Sequence, residues 1–172
     1  MWFVRFSIGV VGGVAAAVVL GGRRVVMRYR RDLAAAWDRL NAVERTIIRN
    51  ERGTIEADLT VTRLAEDVYL LVLVDSMHRH VVGWLEKHIP PEAHVFVTDV
   101  TSGYNIISVQ GPKSRQLIGG LTTADVSNKA FPYLSMQEID VGYAPVKALR
   151  ITYVGELGWE LYVPTEFTLH VF

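Results

Sequence analysis

With 172 residues, half of them hydrophobic, the chain has room for one ordinary domain and an appendage, and its aliphatic content excludes general disorder. It contains no cysteine, which excludes disulfides, thiolate metal ligands and a cysteine nucleophile. The formal charge of zero is unevenly divided. Residues 1–52 carry ten Lys/Arg against four Asp/Glu and residues 53–172 eight against fourteen, so the two parts stand at about +6 and −6. The larger part is acidic and a poor match for phosphate backbones, and nucleic acid is not an expected partner.

Residues 6–22, FSIGVVGGVAAAVVLGG, run for 17 positions without a charge and predict an apolar helix at the lower limit of what spans a bilayer. Arg5 and Trp2 precede it, and Arg23, Arg24, Arg28, Arg30 and Arg31 follow. This bias would keep the main domain on the cytoplasmic side. Residues 1–31 are therefore expected to be an apolar segment with a basic flank, associating with a membrane through 6–22. An export signal and a buried or disordered extension compete for the same composition, and five glycines weaken the span.

Residues 32–49 place Leu33, Trp37, Leu40, Val43 and Ile47 at helical spacing behind Asp32, a suitable cap. They predict a connecting amphipathic helix.

From residue 50 onward the pattern changes. Runs at 55–62, 68–74, 94–100 and 104–109 are β-type. A helix is expected over 75–88, capped by Asp75 and stopped by Pro90-Pro91, and a second over 112–121, opened by Gly111-Pro112. Strands are expected again at 136–142, 146–153 and 159–163, with Gly155 and Gly158 marking the last turn, and Thr165 begins another helix. Strands with irregularly placed helices indicate an α+β domain on a mixed or antiparallel sheet, preceded by the apolar amino-terminal helix.

Few constellations suggest chemistry. Gly111-Pro112-Lys113-Ser114 could attract an anion at a helix start, but it lacks P-loop glycine spacing and reads better as a strand-to-helix turn. His78 and His80, two positions apart on a helix, point to different sides, and His88, His94 and His170 are scattered, so no metal site is expected. No hydrolase triad motif is present. Carboxylates inside apolar strands are more informative, because a desolvated carboxylate must gain partners or shift its pKa. Asp58 and Glu160 qualify, with alternation placing Asp58 opposite Leu59 and Val61. Periodicity goes no further.

Three segments carry a resemblance: NERGTIEADLTVTRL over 50–64, SVQGP over 108–112 and RITYVGELGWELY over 150–162. In order and spacing they closely resemble the folate-binding domain of the dimethylglycine and sarcosine dehydrogenase family, which is similar to the glycine-cleavage T-protein, an aminomethyltransferase. The resemblance covers about 120 residues and makes 50–172 the amino-terminal portion of an aminomethyltransferase-like folate domain. It implies tetrahydrofolate as cofactor and one-carbon transfer, giving 5,10-methylenetetrahydrofolate, as the activity.

The resemblance implies roles for individual residues. Asp58 matches the catalytic aspartate, near the folate N10, where a carboxylate can handle a proton or stabilise a cationic intermediate. Tyr153 matches a tyrosine of the folate pocket, and Glu160 the glutamate that reads the pterin, whose adjacent N–H donors a carboxylate accepts in parallel. Thr60 and Glu156 are further pocket candidates. One departure is specific: the tyrosine expected thirteen residues before the aspartate is Arg45. The FAD-binding Gly-x-Gly-x-x-Gly segment and the later part of the folate domain are not in the chain. A truncated or split fragment is expected, with FAD and the remaining folate subdomains on a companion chain. The alternatives are a membrane-tethered, non-catalytic interaction module and a non-functional relic that folds poorly for lack of core.

Overall fold

The computed structural model describes residues 13–21, 40–65, 68–89, 91 and 94–172. They fall into two compact units, one within Gly12–Thr101 and one within Ser102–Phe172.

The first unit is a five-stranded antiparallel sheet. Its strands are β1 (Gly13–Gly21), β2 (Val43–Arg49), β3 (Ile55–Ala65), β4 (Val68–Val74) and β5 (His94–Asp99), in the order β2-β3-β4-β1-β5. Strict alternation in β3 buries Ala57, Leu59 and Val61 on one face. There they join Leu71 and Leu73 of β4 and Val81 and Leu85 of helix α1 (His78–His88) in one apolar cluster. The opposite face carries Val43 and Arg45 of β2 across from Thr62 and Thr60 of β3, and Ile47 across from Asp58. The pairing skips Glu56 between Ile48↔Ala57 and Arg49↔Ile55, so Glu56 is the extra residue of a β-bulge.

Two expectations are corrected here. Over residues 13–21 the apolar segment is not a helix but strand β1, paired with β4 on one side and β5 on the other. A run of Val and Ala without charges suits a strand buried in mid-sheet as well as an apolar helix, and the neighbouring strands satisfy its backbone. The rest of 6–22 lies outside the described residues. Among those described, no helix is long and apolar enough to cross a membrane. The amphipathic helix over 32–49 likewise gives way over Val43–Arg49 to β2, where the β-branched Val43, Thr46, Ile47 and Ile48 favour extended backbone. Residues 32–39 lie outside the described set.

The strands expected from residue 55 onward form within a few residues of their predicted limits. Asp75 is the first residue of a 3-10 turn ahead of α1, with Val74 at the cap position, unlike the cap expected of Asp75.

The second unit is a four-stranded antiparallel sheet in the order β6-β9-β8-β7, from β6 (Tyr104–Gln110), β7 (Met136–Val141), β8 (Ala144–Leu149) and β9 (Gly158–Pro164). One face buries Val109, Ile139, Val141, Val146, Ala148, Trp159, Leu161 and Val163 against Ile118 of the short helix α2 (Ser114–Gly119) and Phe131 of the following loop. Trp159 meets Phe131 edge to face at 6.1 Å, and the Arg115 and Arg150 guanidiniums lie over its ring. A final helix, α3 (Thr168–Val171), begins after a 3-10 turn at Thr165–Phe167. Two antiparallel sheets with few helices make an α+β fold.

Candidate functional site

On the face of the second sheet opposite the Trp159 core, β6 contributes Ser108 and Gln110 and β9 contributes Gly158, Glu160 and Tyr162. Ser108 pairs directly across from Glu160, and Gln110 across from Gly158. Tyr162, only 1% exposed, donates its hydroxyl to Glu160 Oε2 at 2.8 Å. Gln110 Nε2 donates to Ser108 Oγ at 2.9 Å, while Gln110 Oε1 is buried without a partner.

Burial pushes the Glu160 carboxyl above its ordinary range, against the smaller effect of the Tyr162 hydrogen bond. Burial, and then the charge of Glu160, raise the Tyr162 phenol well above its usual value. The result is a half-buried carboxylate anchored through one oxygen by a donor that stays protonated. Each carboxylate oxygen has two lone pairs, so Oε2 keeps one beyond the Tyr162 bond and Oε1 is available for a second parallel acceptance.

The turn leading into β9 is fixed from α2. Gly111 N and Ser114 Oγ both donate to the Leu157 carbonyl, at 2.7 and 3.0 Å. Gly111-Pro112-Lys113-Ser114 is thus the strand-to-helix turn that the sequence favours, with these donors spent on holding β9. Gly155 sits in this turn at a φ of +79°, a left-handed conformation that side chains disfavour. Tyr153 stands in the same loop, 79% exposed, where the sequence predicts the end of a strand. Glu156 is exposed beside it.

In the first unit, Asp58 lies on the sheet face away from α1, with its side chain 43% exposed. Arg45 Nε donates to its Oδ1 at 2.9 Å, and Arg45 Nη2 donates to Oδ2. These hydrogen bonds hold the carboxyl below the usual carboxylate range, against a smaller opposing effect of burial. Thr60 is the next residue on that face and pairs across from Arg45.

The bulge at Glu56 gives that carboxylate other partners. Its Oε1 accepts from Asn50 Nδ2 at 2.7 Å, and its Oε2 is 2.7 Å from His80 Nε2 on α1. His78 lies 3.6 Å from Asp99 on β5, so the two histidines do point apart. Among the described residues no cluster of His, Asp or Glu is arranged to hold a metal ion.

Sequence reasoning singled out Glu160 without its neighbours Tyr162 and Ser108, and named Arg45 only as a departure from the family pattern, not as the partner of Asp58. Tyr162 was legible as the same-face neighbour two residues on. Arg45 was legible only once 43–49 is recognised as a strand in hairpin with β3. Asp58 and Thr60 share one face of the first sheet, while Glu160, Tyr153 and Glu156 belong to β9 and its approach.

Residues 31–172 match the model of the GCVT N-terminal domain. The chain is 34% identical over 143 residues to sarcosine dehydrogenase of Mus musculus, covering 74% of this chain and 15% of that protein. It is 32% identical over 124 residues to the mouse pyruvate dehydrogenase phosphatase regulatory subunit, covering 72% of this chain and 14% of that one. Both relatives are mitochondrial. The solved glycine cleavage system aminomethyltransferase T of Bartonella henselae superposes with a TM-score of 0.76 at 20% identity, over 94% of this chain and 42% of that structure. The chain therefore spans about one seventh of the length of these two curated relatives.

Proposed function

This chain belongs to the GCVT N-terminal domain family, and from that membership we propose that it is the tetrahydrofolate-binding part of a one-carbon transferase. Its relatives include a dehydrogenase and a regulatory subunit, so membership does not choose between catalysis and regulation. The site residues carry the choice. The single observation that supports folate most directly is Glu160: a half-buried carboxylate, held at Oε2 by Tyr162 and set on a rigid central strand.

That acceptor fits the cofactor. An aminopyrimidinone edge offers two adjacent N–H donors, and an ionised carboxylate in a partly dry setting accepts both. Glu160 would take this edge, with Tyr153 packing on the folate and Glu156 beside it on the same approach to β9. Tetrahydrofolate, when bound, supplies the nitrogens that accept a one-carbon unit. Asp58 is the residue assigned to assist at the reacting centre. Redox chemistry falls to a separate FAD-bearing segment or companion chain, which would also provide the remainder of the folate domain.

The test is titration of the full chain with tetrahydrofolate, followed by tryptophan fluorescence. Wild type is expected to bind, and Glu160→Gln to lose about 10- to 100-fold in affinity, the scale of hydrogen bonds to a charged acceptor. Equal affinity in Glu160→Gln, or no binding by wild type up to millimolar ligand with and without the companion segment, would overturn the proposal.

A further inference from the structure

Asp58 and Arg45 form the best-defined charged pair on the face of the first sheet away from α1. Pairing across β2 and β3 sets Arg45 opposite Thr60, which makes Asp58 its diagonal neighbour. The guanidinium fork reaches both carboxylate oxygens, Nε to Oδ1 at 2.9 Å and Nη2 to Oδ2. A two-pronged pair of this kind fixes orientation as well as charge, which a lysine or a single hydroxyl donor does not do.

On this face the neighbours of Asp58 are Val43, Arg45 and Ile47 from β2, Thr60 and Thr62 on its own strand, and Leu70 and Val72 from β4, opposite Thr62 and Thr60. The nearest acid on the strand, Glu56, is turned by the bulge toward Asn50 and His80. Arg49, the other arginine that alternation places on this side of β2, donates to the Gly53 carbonyl at 2.9 Å, and among the described residues Arg45 is the charged group bonded to Asp58.

We propose that Arg45 is a positioning residue for Asp58: it holds the carboxylate by both oxygens, so that Asp58 serves the one-carbon site as a fixed negative charge and not as a proton carrier. A proton carrier works best with a pKa near the working pH and an oxygen free to meet the proton. Each oxygen of the clamped carboxylate keeps a lone pair, but the guanidinium favours the charged form and so moves the group away from the first condition, while it meets the requirement for electrostatic stabilisation, a charge already oriented before the reaction. The inference rests on the reading of Asp58 as the chemical residue, and it concerns a position where the resemblance leads one to expect tyrosine.

The experiment is a carbon-13 NMR titration of the Asp58 carboxyl in the full chain, for wild type, Arg45→Tyr and Arg45→Lys, with Glu56 as internal control. Tetrahydrofolate affinity is measured on the same samples and on Asp58→Ala. Asp58 is expected to stay ionised to lower pH in wild type than in Arg45→Tyr, with Arg45→Lys between them and Glu56 unmoved. Raised salt should narrow the difference, because the pair is exposed. An Asp58 that titrates at the same pH in all three proteins overturns the inference. Unaltered tetrahydrofolate affinity in Asp58→Ala overturns the reading beneath it, even with the NMR shift intact, so the two failures are distinguishable.

Discussion

The carboxamide of Gln110 occupies the space that a Cβ on Gly158 would fill. A methyl group there would overlap Oε1 and Cδ of Gln110 and stand 2.9 Å from Nε2. A side chain at position 158, one before the buried Trp159 and two before Glu160, therefore requires the Gln110 carboxamide to move. Gly158→Ala is expected to displace the carboxamide, break its bond to Ser108 and lower stability by about 1–3 kcal/mol, the usual cost of overpacking. In urea denaturation the double variant Gln110→Ala/Gly158→Ala should be more stable than the sum of the two single losses predicts, because the overlap is then gone.

Glu160 makes stability depend on pH in a defined direction. Its folded-state pKa lies above the unfolded value, chiefly through burial, so the folded chain binds the proton more tightly. Stability is then lost as pH rises through the folded pKa. Glu160→Gln removes the buried charge, and its melting temperature should exceed that of wild type at neutral pH and converge with it below the ordinary carboxylate range. A constant difference at every pH would contradict this.

Glu56 acts with the opposite sign. Hydrogen bonds from Asn50 and then His80 depress its pKa, so its contribution is present above the unfolded value and disappears as pH falls through the folded one. Melting curves between neutral and acid pH should show wild type ahead of Glu56→Gln at neutrality, with the gap closing in acid. His80→Ala should shrink the gap at neutrality.

Strand β1 yields the sharpest test of the fold. Val18 pairs with Tyr69 on β4 and with Val97 on β5, so a proline at this position removes a donor in mid-sheet. Val18→Pro is expected to abolish cooperative unfolding of the first unit and to remove hydrogen-exchange protection from β4 and β5. Protection equal to wild type in both strands would show that β1 does not bridge them.

Much of the fold was legible because side-chain period is a local property. Ala57, Leu59 and Val61 alternate with Asp58 and Thr60, and the structure buries the first set against α1 as period two requires. The same logic placed Val68–Val74 as a strand. It failed where period and composition conflict. Val43 and Ile47 sit four residues apart, which fits a helix, yet Val43–Arg49 is a strand whose β-branched residues are paired with β3. Tyr153 fell in a predicted strand but stands in a loop, where Gly155 adopts a left-handed φ.

By itself the sequence determined the strands and helices from residue 55 onward, the family through three motifs in register, and Asp58 and Glu160 as carboxylates in unusual settings. These depend on neighbours within a few positions along the chain. Only the tertiary structure decided that residues 13–21 complete a sheet, that Arg45 clamps Asp58 and that Tyr162 anchors Glu160. Whether an uncharged apolar run becomes helix or strand depends on what satisfies its backbone hydrogen bonds, and β4 and β5 lie about fifty and eighty residues away along the chain. The state of a carboxylate depends on what faces it across the sheet, and strand register sets that partner.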